Sequence, residues 1–211
     1  MPPSKRRLPP GVLRPLLMQA AAFFCAAVVA CPPSACAAEQ GAFSATAQSR
    51  GEFPAVTVLA TVTPAELVFQ DGGGRELRRQ IIRDRTGRLS SAACAILVAP
   101  ARNSFLVLFA DMPELWEVSY NPSAPEIGLG MVHDFQYREG QFAPGYLHPL
   151  RTSLPSTVVR AALGQDGHSV VLELRAEHGQ HPPPTLVHLD VRKPIQESPA
   201  TNSPWVECRR Q

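Results

Sequence analysis

The chain lacks most of the compact motifs that announce an activity. No CxxC pair, HExxH helix or Gly-rich phosphate loop occurs. Asp71-Gly72-Gly73-Gly74 is a turn, because nothing helical follows closely enough to offer a phosphate its N-terminus. The absence of CxxCH excludes a covalently attached c-type haem. Aromatic residues make up only 7% of the chain, so the arginines at 75, 78, 79, 83, 85 and 88 have no stacking platform beside them. With acidic residues interleaved, that cluster reads as a solvated strand face and a charged turn, and no nucleic-acid partner is expected. No nucleophile–base–orienter set stands out, and Asp111, Glu114 and Asp134 read as turn and rim residues.

What the chain does have begins with an export signal over residues 1–38. Lys5, Arg6, Arg7 and Arg14 form a basic start, and an apolar run from Leu16 to Ala30 is broken only by Gln19. Small residues follow at Ala35, Ala37 and Ala38, with no acidic residue before Glu39. The run of about 15 residues is short of the roughly 20 needed to span a bilayer. Cleavage after Ala37 or Ala38 would give a soluble periplasmic chain. Val28-Val29-Ala30-Cys31 resembles a lipobox, so membrane attachment is expected only if Cys31 is lipidated, and Pro32 fits that poorly. Without the leader's four basic residues, the formal charge changes from +2 to −2. Of the five cysteines, Cys94 and Cys208 remain, enough for one disulfide, although the apolar surroundings of Cys94 suit a buried thiol equally well.

The remaining residues read as all-β. Strands are expected over 55–62, 66–69, 76–83, 92–98, 104–110, 114–120, 128–132, 156–162, 168–175 and 184–191, punctuated by many of the 22 prolines. The segment 104–110 is apolar almost throughout, which predicts burial on both faces. The next strand alternates, with Trp116, Val118 and Tyr120 on one face and Leu115, Glu117 and Ser119 on the other. In 168–175, Val170, Leu172 and Leu174 point inward. Residues 39–54 read as a flexible lead, 55–194 as the β-rich domain and 195–211 as a mobile tail.

SFLVLFADMPELWEVSYNP and SVVLELRAEHGQHPPPTLVHLDVRKP repeat a pattern of strand, turn, strand and polar exit, with starts 65 positions apart. That is longer than the ~40–50 residues of common propeller blades. The surplus falls between Phe135 and Leu154. The pair therefore reads as corresponding parts of two successive blades with an inserted loop, and the alternative is two hairpins of a small sandwich.

The stretch RNSFLVLFADMPELWEVSYNPSAPEIGLGMVHDFQYREG resembles the d1-haem propeller family, which comprises the haem domain of cytochrome-type nitrite reductases and related proteins of d1-haem biosynthesis. The likeness covers roughly Arg75 to Pro194 and is strongest over Ser104–Arg151. It implies a partial β-propeller of about three to four blade-like sheets that binds haem d1 or a related tetrapyrrole. Val132-His133-Asp134 falls where those reductases show an apolar residue followed by His-Asp, so His133 is carried over as the metal and cofactor contact. Arg138 and Arg151 become candidate partners for cofactor carboxylates. The family's ring has eight blades, and at roughly 45 residues each this chain supplies fewer than four. No counterpart of the proximal ligand or of the second distal histidine is found, so nitrite reduction is not expected. His148, His168, His178, His181 and His188 read as surface or satisfied core residues. Incomplete rings leave sheet faces and edges open, which predicts self-association or a partner protein covering them.

Overall fold

In the computed structural model, described residues are 43–131, 140–176, 183–196 and 203–208. All belong to the compact unit Glu39–Gln211. They form an all-β fold in which each main sheet is a meander of antiparallel strands.

The first sheet runs β1 (Phe43–Gln48), β2 (Val56–Thr61), β3 (Glu66–Asp71) and β4 (Glu76–Ile81) in spatial order. The second pairs β5 (Ala93–Ala99), β6 (Ser104–Phe109), β7 (Glu114–Ser119) and β10 (Pro149–Ser153). A separate hairpin, β8 (Ile127–Met131) with β9 (Gly140–Ala143), interrupts it between β7 and β10. The third sheet holds β11 (Val158–Leu163), β12 (Ser169–Leu174), β13 (Thr185–His188) and β14 (Lys193–Gln196). A two-residue β15 (Val206–Glu207) adds to its β11 edge. The first strands lie side by side, β1 against β5 and β5 against β11, as they do in successive propeller blades. The repeat segments are β6–β7 and β12–β13, the second and third strands of their sheets.

Packing explains the sequence pattern. Trp116, Val118 and Tyr120 join Phe105, Val107 and Phe109 in a core against Val58, Leu67 and Phe69 of the first sheet. On the other face, Leu106, Leu108 and Leu115 pack on Val170, Leu172 and Leu174 of the third. The second sheet is thus covered on both sides, and β6 is buried at every position. Each fully buried side chain of this size contributes about 1.5–3 kcal/mol.

The two outward faces are not bare apolar surfaces. On the first sheet Arg79 lies across from Val68 and pairs with Glu66 and Glu76 at 2.6 Å each. On the third, Arg160 pairs with Glu173 and stacks under Trp205 at 4.6 Å. A charged side chain with a long aliphatic stem shields the apolar residue beneath it while its head stays wet. These faces resemble the polar outer surfaces of capping repeats.

Both chain ends differ from the sequence expectation. The lead expected to be flexible supplies β1, and Tyr120 Oη donates to the Arg50 carbonyl at 2.6 Å to hold its exit. Small, polar Phe43–Gln48 carries little apolar signal, so its strand character comes from pairing with β2. The tail expected to be mobile contributes the end of β14 and all of β15. Cys208 closes a disulfide with Cys94 of β5, and its N–H donates to the Val159 carbonyl at 2.8 Å.

Candidate functional site

Over the free edge of β10, connections from all three sheets meet around a continuous cleft. Its adjoining parts measure about 340, 700 and 530 Å³, within the range of small-molecule sites. Ile127 and Gly128 of β8 form one wall, and Pro149 and Leu150 form the other. Phe142, 64% exposed, stands across from Gly128 on β9. At one end Gly145 meets the chain before β8 so closely that a Cβ there would overlap the Pro125 carbonyl oxygen.

Four arginines line the cleft, Arg85, Arg102, Arg151 and Arg192, together with the carboxylates Asp84, Glu117, Glu126 and Asp190. Arg85 sits on a tight turn built by Asp84, whose Oδ1 accepts from the backbone N–H groups of Arg88 and Leu89 at 2.8 and 3.1 Å. Oδ2 accepts from the Thr86 hydroxyl at 2.7 Å, and Gly87 takes the left-handed φ of 73° that the turn requires. Led by the Thr86 hydroxyl, these bonds hold the Asp84 carboxyl below the usual range. The Arg85 guanidinium donates to the Arg151 carbonyl at 2.9 Å, capping an outward-facing group of the β10 edge.

The Arg151 guanidinium carbon sits over the Trp116 ring, 4.3 Å from its centroid, and the group donates to the Arg83 carbonyl at 2.8 Å. Burial lowers its pKa; Glu114, 4.0 Å away, opposes that and the Arg85 charge adds to it. Glu114 also accepts from Trp116 Nε1 at 2.7 Å and from the Arg85 backbone N–H at 3.2 Å. At the far end Arg102 grips Glu117 through two nitrogens, at 2.7 and 3.3 Å, and reaches Asp190 at 2.5 Å. Burial alone would lower its pKa, yet the bonds to Glu117 and then Asp190 outweigh it and raise it.

Arg192 closes the β13–β14 turn with φ of 52°. Among the described residues its guanidinium makes no side-chain hydrogen bond or ion pair. Burial lowers its pKa; Glu117 acts against that, and the charges of Arg102 and Arg85 reinforce it.

Of the residues singled out from the sequence, Arg151 lies in this cleft. His133 and Arg138 belong to the segment joining β8 to β9, which lies outside the described residues, as do His178 and His181. His148 faces Arg78, with guanidinium nitrogens 3.0 and 2.6 Å from its two ring nitrogens. Burial, then the Arg78 charge, lowers its pKa and favours the neutral ring. His168 stands 3.4 Å from Arg102. Among the described residues no group of three or more His, Cys, Asp or Glu is placed to hold a metal ion. Sequence reasoning missed Arg85, Arg102 and Arg192. Arg85 was grouped with solvated arginines, and nothing local marks a turn arginine whose importance depends on a distant sheet. Where Ile127 and Leu150 line it, Arg85, Arg151 and Arg192 share the cleft with one carboxylate, Asp84, an arrangement that can hold an anion beside an apolar wall.

No protein-family model matches the sequence, and no curated protein matches it. A search of solved structures finds a likeness to a dihydro-heme d1 dehydrogenase, NirN, in complex with DHE. The TM-score is 0.50 at 19% identity over 66% of this chain. The likeness is one of fold: a partial, propeller-like set of antiparallel sheets. This chain spans 25% of the length of that one.

Proposed function

We propose that this chain is an exported, non-catalytic module that binds a haem-like tetrapyrrole in the arginine-lined cleft. The observation that carries the reading is the cleft's composition. Its apolar wall of Ile127 and Leu150 suits a flat ring, and Arg85, Arg151 and Arg192 suit acidic side arms. The fold likeness to a dehydrogenase solved with DHE supplies the ligand class. His133 and Arg138 follow β8 in the sequence, the strand whose Ile127 and Gly128 line the cleft, and in this reading His133 contacts the metal. The Cys94–Cys208 disulfide supports an oxidising, periplasmic address.

An absorption titration of the purified chain with haem and with d1-type tetrapyrroles tests this. A saturable Soret shift is expected, lost in His133→Ala and weakened in Arg138→Gln. No spectral change with any tetrapyrrole would leave a structural or interaction protein of propeller type, without a cofactor.

Self-association, or a partner protein, belongs to the same proposal. Among the described residues no further strand pairs with the outer edges of β4, β10 and β14, and at β10 Arg85 caps the Arg151 carbonyl. Sedimentation velocity is expected to give a species of at least two copies; a monomer at all concentrations would mean that the ion-paired outer faces and β15 suffice.

A further inference from the structure

Arg85 and Arg192 reach the cleft from opposite flanks, one from the β4–β5 connection and one from the β13–β14 turn. Four of the carboxylates around them, Asp84, Asp190, Glu117 and Glu114, are already engaged, and a fifth, Glu126, lines the part of the cleft shared by Arg102 and Arg192. Asp84 accepts three hydrogen bonds within its own turn. Asp190 and Glu117 are held by Arg102, and Glu114 is held by Trp116 and Arg85's backbone. Arg151, between the two flanks, is fixed on Trp116 and the Arg83 carbonyl. Neither the Arg85 nor the Arg192 guanidinium closes an ion pair among the described residues. In the part of the cleft lined by Arg85, Arg151, Arg192 and Asp190, arginines outnumber carboxylates three to one, and such a local excess of positive charge favours an anion. A guanidinium offers a planar fork of donors that matches a carboxylate.

We propose that Arg85 and Arg192 are the two arms of a clamp for a ligand bearing two or more carboxylates. The clamp deepens the tetrapyrrole reading, on which it rests only for the ligand's ring: the acid side arms are what these two arginines hold. Because the arms come from either side of the second sheet, an occupied clamp ties the 82–92 connection to the 189–192 turn and stabilises the stack.

The test uses the full chain with its disulfide formed, at constant ionic strength. Thermal unfolding is followed with benzene-1,3,5-tricarboxylate, and calorimetric titrations compare haem with haem dimethyl ester. The tricarboxylate is expected to raise Tm, and haem to bind at least about tenfold more tightly than its ester, as loss of charge-assisted bonds implies. Arg85→Gln and Arg192→Gln should each abolish the Tm rise and the preference for the free acid. Arg160→Gln, on the far face of the third sheet, should leave both intact. Circular dichroism of each variant establishes that it is folded, and exchanging the substitution for Lys, which keeps the charge but loses the fork, should restore only part of the preference. If acid and ester bind alike, or the two Gln variants bind as the parent does, the clamp is overturned while tetrapyrrole binding stands. If the tricarboxylate binds through both arginines and no tetrapyrrole does, the clamp stands and the tetrapyrrole reading falls. Binding of neither removes both.

Discussion

Replacing Cys94 and Cys208 by Ser lowers the unfolding free energy by about 4–5 kcal/mol. The bond closes a loop across 114 positions of sequence, and constraining the unfolded chain over a loop of ~100 residues contributes about 4.7 kcal/mol in the chain-entropy picture. That is a large share of the roughly 5–15 kcal/mol typical of a whole domain. The bond also anchors β15, whose pairing with β11 covers only Arg160↔Glu207 and Ala161↔Val206. Two residues of ladder do not hold a strand by themselves, so the substitution should free the 203–208 segment as well. Urea unfolding at 25 °C reads the first effect as a lower midpoint, and amide exchange at Cys208 reads the second. Unchanged midpoint and exchange would mean that the end of the chain is held by Trp205 packing alone.

Trp116→Ala costs about 3–5 kcal/mol, the range for removing a large aromatic from a packed core. Its ring is fully buried, meets Phe109 edge-on at a centroid distance of 4.9 Å, and carries Arg151 on its other side. Its Nε1–H satisfies Glu114, which is 6% exposed. The substitution removes the platform under Arg151 and leaves a buried carboxylate short of a donor. Trp116→Phe separates the two, because it keeps most of the packing and loses the hydrogen bond, at about 1–3 kcal/mol. Equilibrium denaturation of both variants is the check. Equal losses would place the whole effect on Glu114.

The fold was legible where strands lie in the interior. The six-residue β6 is apolar throughout because two neighbouring sheets cover it. The alternation of 115–120 places Trp116, Val118 and Tyr120 in one core and Leu115 in the other, while Glu117 and Ser119 line the cleft. The 65-residue repeat holds because β6–β7 and β12–β13 occupy equivalent positions in adjacent sheets. What escaped were the edges. Pro149–Ser153 begins with a residue that has no N–H, so it reads as loop, yet a proline is tolerated at the start of an outer strand. The Phe135–Leu154 surplus therefore contains an outer strand as well as part of an inserted hairpin. β1 and β15 are too polar or too short to register alone, and pairing partners distant in sequence make them strands.

The candidate site was legible only in part, for a related reason. Arg151 could be reached from a resemblance carried by its neighbours in sequence. Arg85 and Arg192 are 107 positions apart, and only the stacking of three sheets brings them to one cleft. Whether an arginine is solvated or an anion ligand depends on the carboxylates around it. Here Glu114, Glu117, Asp190 and Asp84 are occupied by Trp116, Arg102 and a turn of backbone, a fact no local pattern contains.

Native mass spectrometry of the full, oxidised chain with haem added in slight excess tests the account most directly, since it counts ligands per chain without reference to colour. The account predicts one haem per chain, retained under mild activation and lost in the Arg85→Gln, Arg192→Gln double variant. A folded chain that carries no haem, or one that takes up several haems equally in the parent and the double variant, would contradict it.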